Sequence, residues 1–158
     1  MKLNRSIVAP AAILVSMAAA VAQEAGKEPP YCAELKQVVA HALSRERFAP
    51  IAGPAREGNF RNTSLALTGW NGCSLYGAGA YTCDSPALEG VEAAQAAQAA
   101  TVRDVLACLG RDWAEIKDRS SPGYVVLHPL RGAVSITLSL DENDRKQHVV
   151  RLTLFIRR

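Results

Sequence analysis

Four cysteines, Cys32, Cys73, Cys83 and Cys108, limit what this chain can become more than any other feature. None of them sits in the C-x₂-C or C-x₂₋₄-C spacing that zinc sites favour. Their fate depends on the compartment, and the segment ahead of them indicates it. Met1 to Arg5 carries the positive charges of Lys2 and Arg5. Ile7 to Ala22 is apolar apart from Ser16 and ends in Ala20-Val21-Ala22, small residues before Gln23. A positive start, a short apolar stretch and an A-x-A site predict a secretory signal peptide over residues 1–22. The run is shorter than the ~20 residues a membrane span needs, and polar Gln23-Glu24-Ala25-Gly26-Lys27 follows it. A lipid anchor requires a cysteine directly behind the apolar run, whereas Cys32 comes after Pro29-Pro30-Tyr31. The expected location is therefore periplasmic or secreted, an oxidising setting in which four cysteines form two disulfides. Three pairings are open at this point.

The chain has 158 residues, so one domain remains after the leader at the usual ~100–200 residues per domain. Residues 23–30 read as a flexible lead-in and 31–158 as a single α+β domain. Hydrophobic residues make up 49%, and 18 basic against 15 acidic residues give a net charge of +3. Losing Lys2 and Arg5 with the leader brings that close to zero. This balance excludes a disordered chain, a coiled coil, a multi-span membrane protein and a strongly basic nucleic-acid binder.

Helical spacing of Cys32, Leu35, Val38, Val39, Ala42 and Leu43 predicts a first helix over 31–44, fading before Pro50. Residues 50–62 read as a loop, with Phe48, Ile51 and Phe60 as packing points. A strand is expected over 63–68, then a Gly69-Trp70-Asn71-Gly72 turn. A hairpin follows from Cys73 to Cys83 around Gly77-Ala78-Gly79. If Ala78 is its centre, Cys73 faces Cys83 and Leu75 faces Tyr81, so Cys73–Cys83 is a candidate bridge.

Asp84-Ser85-Pro86 announces a second helix, running from Val91 to Leu109 with Gly110 as its stop. Its alanine-rich middle reads as a good helix former that allows close approach to a sheet. Residues 111–122 read as a loop holding Trp113 and Ile116. Three strands are expected over 124–128, 133–140 and 148–156. In the second, Val134, Ile136, Leu138 and Leu140 alternate with Ser135, Thr137 and Ser139. In the third, Val150, Leu152, Leu154 and Ile156 alternate with Arg151 and Thr153. Such a pair has one buried and one wet side.

The order helix–meander–helix–meander reads as a loose duplication. The expected fold is α+β: one antiparallel β-sheet with two helices packed on one face. If a twofold relates the units, the helices run antiparallel and the start of the first lies by the end of the second. That arrangement pairs Cys32 with Cys108 and leaves Cys73 for Cys83.

The catalytic patterns are missing. There is no G-x-S-x-G and no glycine-rich phosphate loop, and Asp141-x-Asn143 lacks the glycine and distal glutamate of a calcium loop. His41 reads as solvated, and His128 and His148 as strand-end residues. An alternative places those two on neighbouring strands, with Asp141 or Asp144, as a metal or hydrolase site. With the cysteines bridged, no catalytic residue, metal or cofactor is expected. Recognition has two candidate surfaces. One is Trp70, Asn71, Tyr76 and Tyr81 in a disulfide-held turn and hairpin, where aromatics anchor interfaces; the competing reading makes Trp70 and one tyrosine core caps. The other is the wet face of Ser135, Thr137, Ser139, Arg151 and Thr153, with Val149 and Phe155.

Gly69-Trp70-x-x-Cys73, Tyr81-x-Cys83 and Cys108-Leu109-Gly110-x-x-Trp113 resemble a pattern in small exported bacterial proteins of uncharacterised function. The resemblance implies a periplasmic α+β domain with two bridges, and no activity. The helix-plus-meander order is also similar to secretion-chaperone-like and β-lactamase-inhibitor-like folds, an analogy of fold alone. The functional expectation is a non-enzymatic binding module, inhibitor- or immunity-like, whose partner is another envelope or secreted protein. Nucleic acid and an integral membrane segment after leader removal are not expected. The alternatives are an envelope structural or assembly factor, and a small hydrolase or ligand-binding enzyme using His128 and His148.

Overall fold

The computed structural model describes residues 28–143 and 145–157. The leader 1–22 and most of the lead-in therefore lie outside the described residues. Helix α1 spans Cys32–Leu43 and buries Cys32, Leu35, Val38, Val39 and Ala42 on one face. It stops at Ser44, whose N–H reaches the carbonyls of Ala40 and His41. A 3₁₀ turn at Ala49–Ile51 then carries Ile51 into the core beside Phe48.

Residues 50–62 are not the expected loop. They hold strands β1 (Ala52–Ala55) and β2 (Phe60–Thr63), paired antiparallel. Gly53 permits this pairing, because a Cβ there would sit 3.2 Å from the Asn62 carbonyl oxygen. The strand expected over 63–68 ends at Thr63. The Thr63 hydroxyl donates to Ile51 O at 3.1 Å, and the Ser64 N–H reaches the same oxygen. Such local bonds compete with a sheet ladder, and the chain turns inward to bury Leu67.

Strands β3 (Asn71–Tyr76) and β4 (Ala80–Asp84) form the expected hairpin, with Leu75 opposite Tyr81. A bulge between Asn71 and Ser74 interrupts its regular ladder. Helix α2 spans Gly90–Leu109, and Gly110 closes it at φ 79°, its N–H bonding Leu106 O. A further short strand, β5 (Trp113–Glu115), lies where a loop was expected. It pairs with β6 (Tyr124–Pro129), which pairs with β7 (Val134–Glu142), which pairs with β8 (His148–Ile156).

All eight strands form one antiparallel sheet in the order β1-β2-β3-β4-β8-β7-β6-β5. Each half is a helix followed by a four-strand meander, and the halves join at the β4–β8 seam. The order reads outward symmetrically from that seam, as a duplicated unit would. Both helices cover the same face, and α1 and α2 each pack on β7 and β8. Between helices and sheet lie Leu35, Val38, Leu75, Tyr81, Val105, Leu127, Ile136, Leu138, Leu152 and Leu154, all essentially sealed from solvent. Each such side chain contributes ~1.5–3 kcal/mol of transfer free energy.

Two disulfides are present, Cys32–Cys108 and Cys73–Cys83, and none of the four cysteines is free. The first ties α1 to α2 and hence one half to the other. The second closes the β3–β4 hairpin. Two disulfides fit a non-cytoplasmic protein. Among the described residues no helix is long and apolar enough to cross a membrane.

Candidate binding face of the sheet

Trp70, Asn71, Tyr76 and Tyr81 do not form one surface. Tyr81 points to the helix side and is 0% exposed; its hydroxyl donates to Leu65 O at 2.9 Å. Alternation along β4 decides this, because Tyr81 shares a face with Cys83. Desolvation, then the charge of Glu34, pushes the Tyr81 hydroxyl above its usual range. Trp70 is half-buried against the core and meets Tyr31 edge-on, with ring centroids 5.7 Å apart. Asn71 is exposed at the start of β3, opposite Asp84. Tyr76 projects from the other face of the sheet, the one the helices leave open, and is 50% exposed.

That open face carries the more coherent site. Register places Phe60 opposite Tyr76, Tyr76 opposite Ala80 and Ala80 opposite Phe155. Three aromatic side chains thus stand in one cross-strand row over β2, β3, β4 and β8. Phe60 and Phe155 are 42% and 41% exposed. The Phe60 and Tyr76 rings lie 5.0 Å apart at 56°, within the range of favourable aromatic contacts. Sequence reasoning took Phe60 for a packing point. Its pairing with Tyr76 turns it outward, and only the unrecognised β2 strand could have shown that. Phe155 was legible from its alternation with Thr153 and Arg151.

The next row is hydroxyl-rich: Asn62, Ser74, Thr82 and Thr153, with the Thr82 and Thr153 hydroxyls 3.2 Å apart. In the third row Arg151 faces Asp84 across the seam. Arg151 Nε donates to Asp84 Oδ1 at 2.7 Å and Nη2 to Oδ2 at 3.0 Å, a forked pair, while Nη1 donates to Asp141. Together with Arg56 and Glu57, the three aromatics, Ser74, Thr82, Thr153, Asp84 and Arg151 line a groove of about 770 Å³. The Arg151–Asp84 pair satisfies part of its charge, and Phe60, Tyr76 and Phe155 stand partly exposed in it.

The far half of the open face is less wet than alternation suggests. Ser135 and Thr137 are buried, Ser135 beside Phe155 and Thr137 beside Val126 and Thr153. Val149, opposite Asp141, is sealed as well.

His128 and His148 do not meet. Strand β7 separates β6 from β8, with Leu127 level with Ile136 and His148 level with Glu142. The two histidines therefore sit about seven residues apart along β7, ~23 Å at the usual strand rise. His128 Nδ1 bonds Pro129 O, and its Nε2 is buried with no hydrogen-bond partner among the described residues. Asp144 lies outside the described residues. Among those described, Glu28 comes close to Cys32 and Cys108, but these two sulfurs are bonded to each other and make a poor ligand set.

No family model, curated protein or solved structure matches this chain.

Proposed function

We propose that this chain is a non-enzymatic binding module of the periplasm or the secreted fraction, and that it holds another protein on the open face of its sheet. The observation that carries the reading is the cross-strand row of Phe60, Tyr76 and Phe155, partly exposed on a sheet face that no helix covers. Aromatic side chains at the centre of a contact supply most of its energy when a partner excludes water from them. The hydroxyl row and the Arg151–Asp84 pair fit the polar contacts that surround such anchors. The cysteines are bridged and His128 and His148 stand far apart, so none of them forms a nucleophile–base pair among the described residues, which favours binding over turnover.

The test compares the oxidised mature chain with a Tyr76→Ala, Phe155→Ala double variant. Both would be immobilised and exposed to envelope extract, with circular dichroism checking the fold. Neither side chain is in the core, so the variant keeps its melting temperature. A partner held stoichiometrically by the parent and lost by the folded variant supports the reading. Equal retention by both removes this face from consideration.

A further inference from the structure

From the placement of the four sulfurs we infer that Cys73–Cys83 is a selectively reducible bridge whose opening loosens the groove, a redox switch built into the docking face. Cys32, Cys108 and Cys83 are 1%, 5% and 0% exposed, whereas Cys73 is half-buried at the bulge that opens β3. Thiol–disulfide exchange needs a thiolate to reach a sulfur, and Cys73, packed at the core edge, is the least buried of the four cysteines, so it offers the way in.

Attack there forms a mixed disulfide with Cys73 and breaks the Cys73–Cys83 bond. Cys83 leaves with the bonding pair, inside the core. Burial disfavours a thiolate, but Tyr81 Oη lies 3.1 Å from Cys83 Sγ. A phenol has one hydrogen, bonded to Leu65 O while the bridge is closed. Rotating it toward the sulfur gives the departing thiolate a charge-assisted hydrogen bond. The attacking reagent is a dithiol. Its second thiolate displaces Cys73, so the dithiol is oxidised to its own disulfide and its two protons end on Cys73 and Cys83.

The hairpin held by this bridge supplies Ser74, Tyr76, Ala80, Thr82 and Asp84 to the groove. Its ladder is irregular between Asn71 and Ser74, at the bridged end. Losing the covalent tie there frees the strand that carries Tyr76. This consequence rests on the docking reading; the order of opening does not.

The experiment uses the oxidised mature chain without a partner. Limiting dithiothreitol is added, aliquots are alkylated over time, and peptide mapping follows each cysteine. Amide hydrogen exchange is read on the same samples. Cys73 and Cys83 are expected to be labelled about tenfold faster than Cys32 and Cys108, with faster exchange confined to β3 and β4. Tyr81→Phe should slow the first opening about tenfold, the worth of a charge-assisted hydrogen bond. Earlier or simultaneous opening of Cys32–Cys108 overturns the selectivity, and unchanged exchange in β3 and β4 overturns the switch. An unslowed Tyr81→Phe variant overturns the role of the hydroxyl. If that variant does not fold, the order of opening in the parent chain still decides the selectivity. If the docking face captures nothing, the order of opening and the exchange result still stand, and the consequence for docking is overturned.

Discussion

Cys32 and Cys108 are 76 positions apart in the chain, yet their Cα atoms lie 5.6 Å apart, joined across the junction of the two helices. The other bridge spans a separation of only 10. A cross-link stabilises chiefly by restricting the unfolded chain, more so for a longer loop. Cys32→Ala with Cys108→Ala should therefore cost about 2 kcal/mol more than Cys73→Ala with Cys83→Ala. Urea unfolding of the two double variants checks this, and equal losses would sink it.

Gln98 is the buried polar residue of α2, 6% exposed, and its Nε2 donates to Leu138 O at 2.7 Å. Helical spacing alone reads it as part of an apolar stripe. It instead carries a hydrogen bond from the helix across the core to β7. Gln98→Ala leaves that carbonyl without its donor and opens a void, so a loss of about 2–3 kcal/mol is expected. Gln98→Leu keeps the volume and should cost about 1 kcal/mol. Chemical denaturation of both variants gives the comparison; a neutral Gln98→Ala would contradict it.

Trp70 and Tyr31 meet edge-on beside the α1 start, which makes Trp70 part of the support for that helix. Trp70→Ala should lower stability by about 2–3 kcal/mol, less than a fully buried tryptophan would. Its effect on partner capture should then follow the unfolded fraction. Lost capture in a variant with an unchanged melting temperature would restore Trp70 as a contact residue.

Glu34 accepts a hydrogen bond from the Thr68 hydroxyl at 2.6 Å. That bond, with a backbone bond second, holds its carboxyl below the usual range. In the unfolded chain Glu34 titrates at the ordinary value, so between the two values the unfolded state binds more protons. The stabilisation is complete above the ordinary glutamate range and is lost as pH falls through the lower native value. Glu34→Gln should flatten the acid limb of the stability–pH curve. The same limb in parent and variant would rule Glu34 out as its source.

Much of this fold can be read from the chain. Val134–Leu140 alternates apolar with polar side chains because one face meets the helices, and His148–Ile156 follows the same pattern except at Val149 and Phe155. The β3–β4 hairpin is marked by Gly77-Ala78-Gly79, and α2 by its glycine stop. The edge strands were not legible. Strand β1 contains Gly53 and Pro54, and β5 has only three residues, so neither offers the periodicity by which strands are recognised. They are strands because β2 and β6 present ladders for them to complete.

The site follows the same division. Local pattern was enough to offer Cys73–Cys83 as a cross-strand bridge and to set Phe155, Thr153 and Arg151 on one side of a strand, whereas Cys32–Cys108 needed the twofold between the two units. A loop centred on Ala78 already sets Tyr76 and Tyr81 on opposite faces, as the register has them, but local pattern could not show which of those faces the helices cover. Nor could it bring Phe60 to Phe155, which requires β2, β3, β4 and β8 to lie side by side. Which residues alternate, where the chain turns and that Cys73 can reach Cys83 across a hairpin follow from the chain alone, since these are short-range consequences of periodicity and backbone sterics. Only the tertiary structure decided which alternating face the helices would cover and which aromatics would share a row. Both are set by register between strands distant in sequence, and no local propensity encodes it.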